Sequence, residues 1–197
     1  MALAADTLRP TDTRTRILDA AFRAVAGHGM SRFTMDDVAR EAGLSRQSVY
    51  RYFESKDALI VALVYREEEQ FIDGVRAAHA AHPGLEDAVR EAVLYCLRTA
   101  RNHPLLDRLL ASEPDVLLPY LTTRGGGLIA RARGVLEELT AERPGIRNEL
   151  VHRAADLAVR AIVSYVISPS DDEPEDVAAG IAAILASAVL MEEESAP

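Results

Sequence analysis

The segment TMDDVAREAGLSRQSVYRYF, residues 34–53, has little freedom in what it can become. Thr34 followed three residues later by Asp37 makes a capping box, which starts a first short helix. Ala39 is small enough to let a second helix cross close by. Gly43 can enter the left-handed backbone region that a tight turn between helices demands. Ser45 caps the second helix, and Val49 falls where it fills the gap between the two. The spacing of Ala39, Gly43 and Val49 is what the sterics of a helix-turn-helix require. Arg46, Gln47, Ser48, Tyr50, Arg51 and Tyr52 are left facing outward, a surface suited to a polar, anionic partner such as the groove of duplex DNA.

The rest of the chain reads as helical too. Apolar residues make up 49% of the 197, with aromatics at 5% and no Trp, so the core is built from Leu, Val, Ile and Ala. That composition, without strand alternation, predicts an all-α fold of about nine helices. A net charge of −9 argues against a nucleic-acid binder until it is divided. Residues 1–56 carry 9 basic against 7 acidic side chains, whereas residues 57–197 carry 13 against 24, so the helix-turn-helix lies at the basic end. The single cysteine, Cys96, excludes an intrachain disulfide and a cysteine-cluster metal site. Residues 1–12 lack the apolar core of a secretory leader and are expected to form a disordered arm. The longest uncharged run, Val177 to Met191, would span about 22 Å as a helix, short of a hydrocarbon core of roughly 30 Å. A cytoplasmic protein without a membrane partner is expected.

Helical periodicity continues from Thr13 to about His28, with Gly27 and Gly29 closing that run. Ser55 then caps a long helix that Pro83 and Gly84 terminate. The boundaries expected are a helix-turn-helix domain at 13–56 and a larger helical domain at 57–197. Leu85, Ala88, Val89, Ala92, Val93, Cys96, Leu97 and Ala100 form one apolar stripe. Gly125, Gly126 and Gly127 are expected to break the helical pattern that contains them. Residues 146–168 and the final helix carry more apolar surface than one core hides, which predicts a homodimer built on a four-helix bundle. Its seam is expected to include Val151, Ala155, Val159, Ile162, Val166, Ala179, Ala183 and Ala186.

The segment RTRILDAAFRAVAGHGMSRFTMDDVAREAGLSRQSVYRYFESKDAL, residues 14–59, resembles the tetracycline-repressor (TetR/AcrR-like) family of bacterial transcription regulators. Ile17, Ala20, Ala21, Gly29, Thr34, Val38, Ala39, Ala42, Gly43, Tyr50, Tyr52, Phe53, Lys56 and Leu59 carry the likeness, over about a quarter of the chain. The resemblance implies that Arg46, Gln47 and Ser48 read base edges, while Thr34, Tyr50, Tyr52 and Lys56 hold phosphates. Ser45 and Arg51 complete the expected DNA surface. It further implies a homodimeric repressor on a palindromic DNA operator, released by a small-molecule effector in the C-terminal domain. The long helix from Ser55 to Ala81 would act as the lever. An apolar pocket is expected among Val93, Cys96, Leu97, Leu106, Leu109, Leu117, Tyr120, Leu121, Leu157 and Ser164, with Tyr95 a further hydroxyl, which suits a hydrophobic effector.

Plainer readings stand beside these. Cys96 on its stripe reads as apolar filler rather than a redox sensor. No carboxylate or cysteine lies at ligand spacing from His79 and His82, so no metal or cofactor is expected. Arg153, Asp156 and Arg160 read either as a surface charge ladder or as groups facing the pocket or dimer seam. A helical small-molecule carrier with a vestigial helix-turn-helix is the alternative function. No catalytic constellation has convincing spacing, so an enzyme is not expected.

Overall fold

The computed structural model describes residues 10–140 and 149–193, with side chains described for 12–140 and 149–187. Of the expected N-terminal arm, residues 1–9 lie outside the described residues, and the first helix already begins at Pro10. The described residues form ten helices: α1 Pro10–His28, α2 Met35–Ala42, α3 Arg46–Tyr52, α4 Lys56–Ala80, α5 Leu85–Arg101, α6 Pro104–Ser112, α7 Pro114–Leu121, α8 Gly126–Thr140, α9 Glu149–Ile167 and α10 Pro174–Glu193. None is long and apolar enough to cross a membrane among the described residues. Packing divides the chain into two compact units, one ending at Glu68 and one beginning at Glu69.

In the N-terminal unit α1 packs on α2, and Ile17, Leu18, Ala21 and Val25 of α1 are buried, as are Phe33, Val38, Val49 and Phe53 from the segments that follow. Leu59 and Leu63, from the first turns of α4, are buried as well. Polar ties hold the helices in register. Arg16 of α1 donates to the Ala42 carbonyl at 2.9 Å, satisfying an orphan acceptor at the end of α2. Arg66 of α4 pairs with Asp19 of α1 at 2.6 Å and with its neighbour Glu67 at 2.6 Å.

The C-terminal unit packs α5 against α9 and α10, and α8 against α9. Val89, Val93, Leu97, Ile129, Leu136, Ala155, Val159, Ala178, Ile181 and Leu185 form its main core. A second cluster joins Val75 of α4 to Ala92, Cys96, Val135 and Leu139. The helical pattern is interrupted at the glycine run, as expected from sequence, although only Gly125 lies in the break itself. The chain turns at 122–125, and Gly126 and Gly127 begin α8, where the first turn has no intrahelical donors to lose. Gly125 is the crowded position of the three, because a Cβ there would lie 3.0 Å from the Tyr120 carbonyl. This turn separates α7 from α8 and accounts for the helix beyond nine.

Asp156 settles into a ladder with a cross-tie. It accepts from Arg160 at 2.7 Å along α9 and from Arg133 of α8 at 3.2 Å. The Arg160 hydrogen bond leads in holding its carboxyl below the usual range. Arg153 pairs with Glu149 at 2.6 Å in the i,i+4 register.

Candidate nucleic-acid interface

Thr34 has extended backbone and caps α2, accepting from the Asp37 amide at 3.2 Å. Asp37 in turn accepts from the Thr34 amide at 2.9 Å and from the Thr34 hydroxyl at 2.7 Å. The expected capping box is therefore present, but the hydroxyl proton that a phosphate would need is already given to Asp37. Gly43 closes α2 at φ 63°, ψ 35°, in the left-handed region, and Leu44 donates to the Ala39 carbonyl at 2.9 Å. Ser45 caps α3 by accepting from the Ser48 amide at 3.1 Å. Val49 is fully buried, 0% exposed, and fixes how α3 lies on α2.

What remains outside is the ridge expected from sequence. Arg46, Gln47, Tyr50 and Arg51 are exposed, and Ser48 and Tyr52 are half-buried. Arg46 is not loose: its Nη1 donates to Asp36 of α2 at 3.1 Å and its Nη2 to the Tyr50 hydroxyl at 3.4 Å. Its guanidinium also lies 5.3 Å from the Tyr50 ring centroid. The Tyr50 hydrogen bond, then the charge of Asp36, hold Arg46 more firmly protonated than usual. Arg51 sits 5.5 Å from the Tyr52 ring. Lys56 Nζ donates to the Ser31 carbonyl at 3.0 Å and lies 4.4 Å from the Phe33 ring, with two further donors to offer.

Arg46, Tyr50, Thr34 and Lys56 share the lining of a cleft of ≈ 440 Å³ with Ser31, Arg32, Phe33, Met35 and Asp36. Sequence reasoning missed Ser31 and Asp36. Ser31 holds the expected phosphate lysine from 25 residues away, and Asp36 holds the expected base reader from 10. No helical periodicity reports such distances.

The residues expected around an effector pocket are divided by the structure. Val93, Cys96, Leu97 and Leu109 are buried, and Leu106, Leu117 and Leu121 are half-buried. Tyr120 and Leu157 are instead 59% and 63% exposed, and Ser164 is exposed too. Tyr120 is outward because α7 has no buried residue at all. Burial pushes the Cys96 thiol up to about 12, which suits a packing residue. The eight positions expected at a dimer seam also separate. Val151, Ala155, Val159 and Ala186 lie in the chain's own core, where α9 and α10 pack on each other and on α5. Ile162 and Val166 are half-buried, and Ala179 and Ala183 are exposed. Among the described residues, Leu150, Leu157 and Ile184, the last 60% exposed, are the large apolar side chains left outside on these two helices.

Comparison with known proteins covers both units. Residues 17–63 match the family described as bacterial regulatory proteins, tetR family, and residues 84–187 match the bacterial tetracyclin repressor C-terminal domain. The HTH-type transcriptional regulator AlkX of Mycobacterium tuberculosis is 30% identical over 176 residues, 87% of this chain and 82% of that protein. Among solved structures, the TetR family repressor AlkX of Dietzia sp. strain DQ12-45-1b, implicated in biodegradation of n-alkanes, superposes with TM-score 0.68 at 30% identity. It covers 95% of this chain and 98% of that one. FadR of Bacillus subtilis, solved with stearoyl-CoA, shares the fold at TM-score 0.55 and 18% identity, over 88% of this chain and 98% of its own.

Proposed function

The chain belongs to the tetracycline-repressor family of DNA-binding transcriptional regulators, and from that premise we propose that it is a homodimeric repressor released from a palindromic operator by a small hydrophobic effector. One observation carries the DNA half of this reading. The first turn of α3 presents Arg46, Gln47 and Ser48 together, on a helix fixed by the Ser45 cap and by buried Val49. A major groove admits one such helix, and its N-terminal side chains are the ones that reach base edges. Arg is matched to guanine and Gln to adenine, while Tyr50, Tyr52 and Lys56 serve the backbone.

For pairing, we draw the seam through the outward face of α9 and α10, using Leu157, Ile184, Ala179 and Ala183 in place of the four residues occupied by the chain's own core. Small residues beside two large apolar ones allow two copies of the helix pair to approach closely. Two recognition helices must stand about 34–36 Å apart to enter successive grooves.

The effector class rests on apolar chemistry. Leu106, Leu117 and Leu121 of α6 and α7 are only half-buried, and α6 packs on α7 and on α5, the helix whose Val93 and Leu97 are buried. The Dietzia relative is implicated in n-alkane biodegradation, and the Bacillus neighbour holds stearoyl-CoA. A long aliphatic chain is the ligand class that fits both lines. Such a ligand weakens operator binding by the difference in its affinity for the two shapes, and DNA weakens the ligand by the same factor. The test is a gel shift on an operator selected from random duplexes, with hexadecane, palmitate and palmitoyl-CoA as competitors. Release by one of them, with its own binding weakened by operator, supports the reading. A compound that binds the chain tightly and leaves the operator complex unchanged contradicts the ligand response.

A further inference from the structure

Two adjacent carboxylates open α2, and they have separate duties. Asp37 is occupied by the cap and by Arg40, whose Nη2 donates to it at 2.6 Å. Asp36 takes no part in the cap. It reaches across to α3, where its Oδ2 accepts from Arg46 Nη1 at 3.1 Å, while Tyr50 accepts from Nη2 of the same guanidinium. Arg46 is thus held from two helices at once.

A carboxylate on a face that meets phosphate works against counterion-driven binding. Nor does the pair matter much to folding, because both side chains are more than half exposed, 62% and 56%, where such pairs contribute little. Its effect is to restrict a long, flexible side chain. A guanidinium has five N–H donors; two are engaged here and three remain for a base edge. An arginine fixed before contact loses less freedom on binding, and its fork is already aimed.

We propose that Asp36 is a positioning residue for sequence recognition: it orients Arg46, so that base preference at the Arg46 contact depends on a side chain that touches no base. This rests on the reading of α3 as the recognition helix. The test uses full-length chains carrying Asp36→Ala or Asp36→Asn beside the unsubstituted protein. Each selects duplexes from a random pool, and affinities for the selected and an unrelated duplex are measured at one salt concentration. Asparagine removes the charge as alanine does, yet keeps an amide oxygen that can accept from Nη1.

For Asp36→Ala the expected result is flattened base frequencies at one pair per half-site and a roughly tenfold lower ratio of selected to unrelated affinity. Binding to unrelated DNA stays level or rises. Asp36→Asn keeps most of the ratio. If both variants shift the two duplexes by a common factor with base frequencies unchanged, Asp36 acts as a charge alone and the proposal is overturned. The unsubstituted chain separates the two failures. Enrichment of no sequence by it removes the DNA-recognition reading itself, whereas one motif enriched alike by all three proteins removes only the role of Asp36.

Discussion

The hydroxyl end of Tyr95 on α5 rests against the bare backbone of Gly74 on α4, in the space that any Cβ at position 74 would fill. Phe71, one turn earlier on α4, holds the same ring at a centroid distance of 5.9 Å. A glycine inside a helix costs about 1 kcal/mol relative to alanine, so this one is retained against propensity and for a close approach. Gly74→Ala should therefore destabilise the parent chain by displacing Tyr95. In a Tyr95→Ala background the same change should stabilise. Thermal or denaturant melts of the four proteins measure the coupling, expected at about 1–3 kcal/mol. Equal effects of Gly74→Ala in both backgrounds would show that the contact does not constrain α4.

On the proposed DNA face, Gln47 of α3 and Lys56 at the start of α4 should separate into two classes of effect. Lys56→Ala should weaken selected and unrelated duplexes alike and reduce the salt slope by about one, as loss of a phosphate contact does. Gln47→Ala should change base preference at one position, at about 1–3 kcal/mol of discrimination. Titrations at several salt concentrations distinguish the classes. Uniform loss from Gln47→Ala would show that it holds the backbone rather than a base.

The α2 cap has a pH signature. Hydrogen bonds from Thr34 hold the Asp37 carboxyl below its usual range, so the charged form is the one the fold favours. That contribution is complete above the ordinary carboxylate pKa and fades as pH falls through the lowered folded value. Thr34→Ala should cost about 1 kcal/mol near neutral pH, and its deficit should narrow below about pH 4. Melting temperatures of both proteins from pH 2 to 7 test this. A deficit that stays constant into acid would mean that Asp37 ionisation is not coupled to the cap.

The pairing proposed through α9 and α10 makes Leu157 and Ile184 the side chains to change. Both are more than half exposed in the single chain, so Leu157→Glu with Ile184→Glu should leave its helicity nearly unaltered. The pair of charges should prevent assembly and reduce operator affinity with it. Sedimentation gives the mass directly. A doubly substituted protein that still sediments as a dimer places the seam elsewhere.

The helix-turn-helix was legible because its determinants are local. A cap, a left-handed glycine and a buried valine act within a few residues of one another, and Thr34, Gly43 and Val49 take those roles in space. The pocket and the seam were less legible because α9 and α10 are apolar on nearly every face. Periodicity identifies Val151 and Leu157 equally as apolar, yet α9 buries the first at 5% exposure and leaves the second at 63%. Which face turns inward is decided by what α5 and α8 bring against it. Asp36 and Ser31 escaped notice for a related reason. Their partners, Arg46 and Lys56, come near only once the turn and the segment before α2 have folded.

The most direct measurement is selection of duplexes from a random pool by the full-length chain at low ionic strength, followed by the stoichiometry of the selected complex. The expected result is an inverted repeat whose half-sites lie about 10–10.5 base pairs apart, or a multiple of that, bound by an even number of chains and weakened steeply by salt. Recovery of no preferred sequence, or of a motif without symmetry bound by a single chain, would contradict it.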